Sequence, residues 1–141
     1  MEDMKLWLDV SVMVVLGLMS FATVWMAVER TLYFRKVDVG AFTSEEELRI
    51  DLTRNLTVIS TIGANAPYVG LLGTVFGIMI TFYEIGDGGA MAVGSIMKGL
   101  ALALKATALG LAVAIPSIIA YNGLMRRADT LSAVWAARRG R

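Results

Sequence analysis

The sequence predicts an all-α integral membrane protein with three transmembrane helices per subunit, N-terminus outside and C-terminus inside. Three observations carry this. The 141 residues are 57% hydrophobic and only 18% charged, with a mean hydropathy of +0.67. A water-soluble domain of this size has too few core positions for so much apolar surface. Second, long stretches at residues 6–28, at 57–83 and from about Met91 to about Leu124 carry few charges or none. Third, ten of the thirteen basic residues lie between the first and second stretches or after the third. Cations flanking membrane spans stay on the cytoplasmic side, which sets the orientation.

Composition also excludes chemistry. There is no cysteine, so no disulfide or thiolate metal site, and no histidine to act as general base, zinc ligand or pH switch. An enzymatic function has no support, and no cofactor or metal is expected. The net charge of +1 says less than where the charges sit.

The first span is LWLDVSVMVVLGLMSFATVWMAV, residues 6–28, within a segment 1–28, with Asp9 near its outer end. A cleaved signal peptide competes, since Ser20-Phe21-Ala22 loosely imitates a cleavage site. A signal opens on basic residues, however, and here Glu2 and Asp3 stand against Lys5. The run is therefore expected to remain as a helix.

Residues 29–56 form the cytoplasmic loop and the start of a long second helix, with Arg30, Arg35, Lys36, Arg49 and Arg54. Gly40 marks a turn. Ser44 followed by Glu45, Glu46 and Glu47 has the spacing of a helix cap with an acidic first turn. The second helix is expected to start there and run unbroken into the membrane. The bland reading of the glutamates, a solvated helix start, is preferred to a partner site.

Residues 57–125 are the core of the chain. TVISTIGANAPYVGLLGTVFGIMITFY holds no charge in about 27 positions. As a helix it spans ~40 Å, more than the ~30 Å hydrocarbon thickness. Gly63, Ala66, Gly70, Gly73 and Gly77 recur at spacings of three and four, so they share one face. Such a face lets another backbone approach closely, which is how helices associate in lipid. Pro67 is expected to kink this helix. Glu84, Gly86, Asp87, Gly88 and Gly89 make a flexible turn. The third span repeats the small-residue pattern at Gly99, Ala103, Thr107, Gly110, Ala114 and Ser117, with a bend expected at Pro116. The two faces complement each other, and Gly70, Gly73, Gly77 and Gly110 are the helix-packing candidates. The tail, 126–141, is basic through Arg126, Arg127, Arg138, Arg139 and Arg141.

Two long motifs, TIGANAPYVGLLGTVFGIM and KATALGLAVAIPSIIAYN, in this order and at this separation, resemble the MotA/TolQ/ExbB proton channel family, and its ExbB branch most. The match covers roughly residues 60–123. The resemblance implies a subunit of the bacterial inner membrane, in a homopentamer around a central lumen that holds the membrane helix of ExbD. Proton flow would energise TonB, which opens outer-membrane receptors for iron chelates. Small-residue faces on two adjacent helices, more than one neighbour can satisfy, suit such an oligomer. The family's pore threonines match Thr74 and Thr107, opposite the single membrane Asp of ExbD. A threonine hydroxyl both donates and accepts, so it can face a carboxylate or a carboxylic acid. The bland alternative is a bond to the carbonyl one turn earlier. A TolQ-like role would drive the Tol-Pal envelope system, a MotA-like role is disfavoured by the short loop, and a non-channel scaffold would use the glycine faces only to hold an oligomer.

One departure stands out. Where the family carries a glutamate in the third span this chain has Leu102, with Lys105 nearly one turn on. A lysine at mid-membrane costs roughly 2.5–3.5 kcal/mol, so it is expected to face protein or water and find a partner, unless it snorkels. Glu84 lies within ~40° of the glycine face and at about the depth of Lys98, so a Glu84–Lys98 clasp is expected near the outer rim. Lys105, deeper, would turn towards Glu84, Asp9 or the partner's carboxylate.

Overall fold

In the computed structural model, which describes residues 2–88 and 92–140, the chain is entirely helical apart from short turns. α1 spans Glu2–Lys36, a 3-10 turn Val39–Ala41, α2 Glu45–Leu52, α3 Leu56–Gly86 and α4 Val93–Arg139. Gly89, the helix start near Met91 and Arg141 lie outside the described residues. α1, α3 and α4 are each long and apolar enough to cross a bilayer.

α1 continues two turns past the expected span end at Val28, because Arg30 and Phe34, one turn apart, both find buried positions. Its charged ends suit the helix dipole, Glu2 and Asp3 in the first turn and Arg35 and Lys36 in the last. Gly40 falls in the 3-10 turn, where its N–H donates to the Asp38 carboxylate at 3.0 Å. Ser44 caps α2 by accepting from the Glu47 N–H at 3.2 Å.

The second helix does not run unbroken from Ser44. α2 ends at Leu52, and Asn55 takes a left-handed conformation, φ 67°, before α3 begins. Asn is among the few residues that tolerate this conformation. The break lets Leu48 and Leu52 of α2 and Leu56 and Ile59 of α3 turn inward together, all at most 1% exposed. They pack with Phe34, Val39, Leu124 and Ala128 into a core at the end of the molecule that carries α2. α3 and α4 pass through Pro67 and Pro116 without ending. α4, 47 residues, includes most of the basic tail; at 1.5 Å per residue it is about 70 Å long.

α3 and α4 form the most extensive pairing, and α1 packs against both. In the membrane-spanning half the shared core is small: Val12, Leu16, Ala66, Ala106 and Ala114. Aliphatic and aromatic side chains such as Leu18, Phe21 and Trp25 of α1 face outward, as expected of a surface that meets lipid or another subunit.

Candidate functional site

The seam between α3 and α4 is built on glycine. A Cβ on Gly70 would stand 2.5 Å from the Ala106 carbonyl oxygen and 3.0 Å from the Gly110 Cα. One on Gly110 would stand 2.7 Å from the Ala66 carbonyl oxygen and 3.0 Å from the Gly70 Cα. The two backbones therefore cross in direct contact at Gly70 and Gly110. Gly73 receives the Ala106 methyl and Val12 of α1, and Gly77 receives Ala103.

This closeness brings Thr74 and Thr107 together. Their hydroxyls are hydrogen-bonded to each other, with either oxygen able to donate. The Thr74 hydroxyl also lies 2.8 Å from the Ala103 carbonyl oxygen and 3.3 Å from that of Gly70, one turn earlier. The bland bond to the preceding turn is thus the longer of two, and the cross-helix acceptor is the better placed. Thr74 is buried and Thr107 half-buried. The arrangement has two hydrogen-bond states. With Thr74 donating to Ala103, Thr107 donates to Thr74 and keeps its own lone pairs for an outside donor. With Thr74 donating to Thr107, the Thr107 hydrogen is free for an outside acceptor. A neutral hydroxyl pair can therefore meet either form of a carboxyl group.

At the end that carries the N-terminus, the charges pair differently from the expected clasp. Glu84 is bonded to Lys5 of α1 rather than to Lys98. Lys98 is exposed and lines the same cavity as Lys5 and Glu84, but the ion pair of Glu84 is with Lys5. Lys105 lies 3.7 Å from the Asp9 carboxylate, both side chains 45% exposed. Lys5 and Asp9, one turn apart on α1, thus bind oppositely charged groups on α3 and α4.

Two polar features were not singled out from the sequence. Thr23 of α1 and Ser117 of α4 share a hydrogen bond of 3.1 Å in a buried position. Ser117 had shown only as a small residue of the packing face, and a lone Thr in an apolar run gives no signal of its partner. Arg30, read as one loop cation among several, is 3% exposed. Its guanidinium donates twice to Glu29 at 2.6 Å and once, at 2.7 Å, to the Asp51 carbonyl near the end of α2. It also lies 4.3 Å from the centre of the Tyr33 ring. That carbonyl, in the last turn of α2, also accepts from the Arg54 N–H at 3.4 Å. The bonds from Arg30 hold the Glu29 carboxyl below its ordinary value of 4.5, against the opposing effect of burial.

With this geometry in place, comparison with known proteins adds a family. Residues 40–137 match the MotA/TolQ/ExbB proton channel family. The chain is 54% identical over 132 residues to a biopolymer transport protein ExbB of Helicobacter pylori (strain J99), covering 94% of this chain and 91% of that one. It is 49% identical over 140 residues to an ExbB of Aquifex aeolicus, covering 99% and 95%. A Tol-Pal system protein TolQ of Pseudomonas aeruginosa is 42% identical over 91 residues, covering 64% of this chain and 38% of that protein. A match over well over half of the chain, on the helices that build the threonine seam, means that this multi-pass membrane protein belongs to the MotA/TolQ/ExbB proton channel family.

Proposed function

We propose that the chain is the proton-channel subunit of an inner-membrane complex that energises TonB-dependent uptake across the outer membrane. Five copies surround a lumen lined by α3 and α4, with α1 outside against lipid and the N-terminus on the outer face. The lumen holds the single span of an ExbD-like partner, whose membrane Asp carries the proton, and the complex acts on a TonB-like transducer. The observation that carries this reading is the Thr74–Thr107 hydroxyl pair. Its two hydrogen-bond states let the wall accept the carrier both as carboxylate and as carboxylic acid, without placing a charge of its own in the membrane. Each proton crossing 100 mV gains about 2.3 kcal/mol, so a few supply conformational work.

The ExbB relatives support this over the Tol-Pal alternative, because they match nearly end to end while the TolQ match covers 38% of that protein. A pure scaffold would need the glycine seam but no hydroxyls on it. The test is Thr107→Val, which keeps the shape and deletes the hydroxyl. Reconstituted with its partner in liposomes, the variant is expected to assemble in normal yield with proton flux at background. Normal flux would sink the reading.

A further inference from the structure

Between α1, α3 and α4, at the end that carries the N-terminus, lies a cavity of about 570 Å³. Its rim is at Glu2, Glu84 and Ser95 and its floor at Val12, Gly73 and Ala106. On each helix the rim and floor residues are ten or eleven positions apart. All three helices therefore give the same depth, about 15 Å, half of the ~30 Å hydrocarbon core. The floor reaches the level of the threonines: Gly73 precedes Thr74 and Ala106 precedes Thr107. Ala103, another wall residue, presents the carbonyl oxygen that lies 2.8 Å from the Thr74 hydroxyl. Cavity and threonine pair are therefore separated by little more than one residue of α4.

The walls are mainly apolar, with Leu6, Leu8, Val12, Leu102, Ala103 and Ala106 among them, and the charged side chains lie above the floor. Lys5, Asp9, Glu84 and Lys98 all line the cavity, and Asp9 holds Lys105. Polar cavities of this size fill with water, whereas apolar ones stay dry; at ~30 Å³ per molecule there is room for roughly 15–20 waters.

We propose that this cavity is a water-filled access path inside each subunit, leading protons from the membrane face that carries the N-terminus to the level of Thr74 and Thr107. It rests on the proton-conducting reading above, and assigns the entry to the α1 side of the seam.

The absence of cysteine in the chain permits a direct test. Val12→Cys places a thiol on the floor. Val14→Cys places one at nearly the same depth, about 200° round α1, where the side chain is 54% exposed on the outer surface. The partner-containing complex is treated from the N-terminal face with a membrane-impermeant, cationic methanethiosulfonate. Val12→Cys is expected to react about tenfold faster than Val14→Cys, because thiolate forms in water and not in lipid. Its proton flux after treatment is expected to fall to roughly a tenth of its own flux before treatment, an added barrier of about 1.4 kcal/mol. Leu8→Cys, one turn shallower on the same wall, takes its place if the floor variant fails to assemble. A thiol that resists the reagent overturns the proposal, as a dry or lipid-filled cavity would. So does a thiol that reacts while flux is unchanged. Absence of flux before treatment, in the untreated parent complex as well, instead overturns the proton-conducting reading.

Discussion

Lys105 is a cation deep in an apolar helix, and its nearest acid is on another helix of the same subunit, Asp9 at 3.7 Å. Removing either partner alone leaves the other unmatched. A fully buried pair would lose several kcal/mol in this way; with both side chains 45% exposed, the loss is nearer the ~1 kcal/mol of a screened pair. Asp9→Asn and Lys105→Leu are therefore each expected to lower the thermal midpoint of the complex in detergent by a few degrees, and the double variant to regain most of the loss. If Lys105 instead served a partner's carboxylate, the double variant would regain nothing and transport would fall without a change in assembly. Glu29 offers a second test at this scale. Because Arg30 lowers its folded-state pKa, the contribution to stability is complete above the ordinary value of 4.5 and disappears as pH falls through the lower, folded value. Acid unfolding of the end that carries α2 is expected to be less steep in Glu29→Gln, by no more than ~1 kcal/mol for so exposed a carboxylate. Identical acid profiles would show that the Arg30 contact leaves Glu29 unstabilised.

Among the helices, the α3–α4 pair has the least tolerance. Gly70→Ala puts a methyl 2.5 Å from a carbonyl oxygen, so the backbones must separate; overpacking of this kind costs about 1–3 kcal/mol. Gly17→Ala on α1 meets nothing within 4 Å, and is expected to be neutral or stabilising by up to ~1 kcal/mol. Complex yield and thermal midpoint of the two variants check the contrast, and equal effects would refute the backbone contact. The glycine spacing pointed to a close-packing face, a weak signal alone because Gly-rich spans are common, and the structure sets Gly70 against Gly110. The break at Asn55 was not legible. Ser44, the glutamates and the apolar run that follows all favour helix, and only the burial of Leu48, Leu52, Leu56 and Ile59 in one core makes the left-handed turn worthwhile. The charge pairing was legible in depth and not in partner: helical rise placed Glu84 level with Lys98, and both line one cavity, but nothing in one helix's sequence says that Lys5 on another takes the carboxylate.

For the whole molecule, the exposed apolar faces of α3 and α4, including Leu71, Leu72, Phe76, Leu104 and Leu111, are more than one lipid-facing hairpin would need beside so many small residues. Native mass spectrometry in mild detergent is expected to find a species of about 76 kDa, five times the 15.2 kDa chain, and a stable monomer or dimer would contradict the pentamer. α4 adds a mechanical aspect to such an assembly. It is one continuous helix from Val93 to Arg139, and its far end is tied to the chain, with Trp135 and Arg139 both donating to the Phe42 carbonyl, at 3.1 and 2.6 Å. From Thr107 to Trp135 is about 42 Å of rod. Pivoted at the threonine, that rod is a lever arm: each degree of tilt sweeps its tip through roughly 0.7 Å, the geometry of a 1.5 Å rise carried over 28 residues. Whatever grips the tip would feel, enlarged, a movement too slight to notice at the fulcrum.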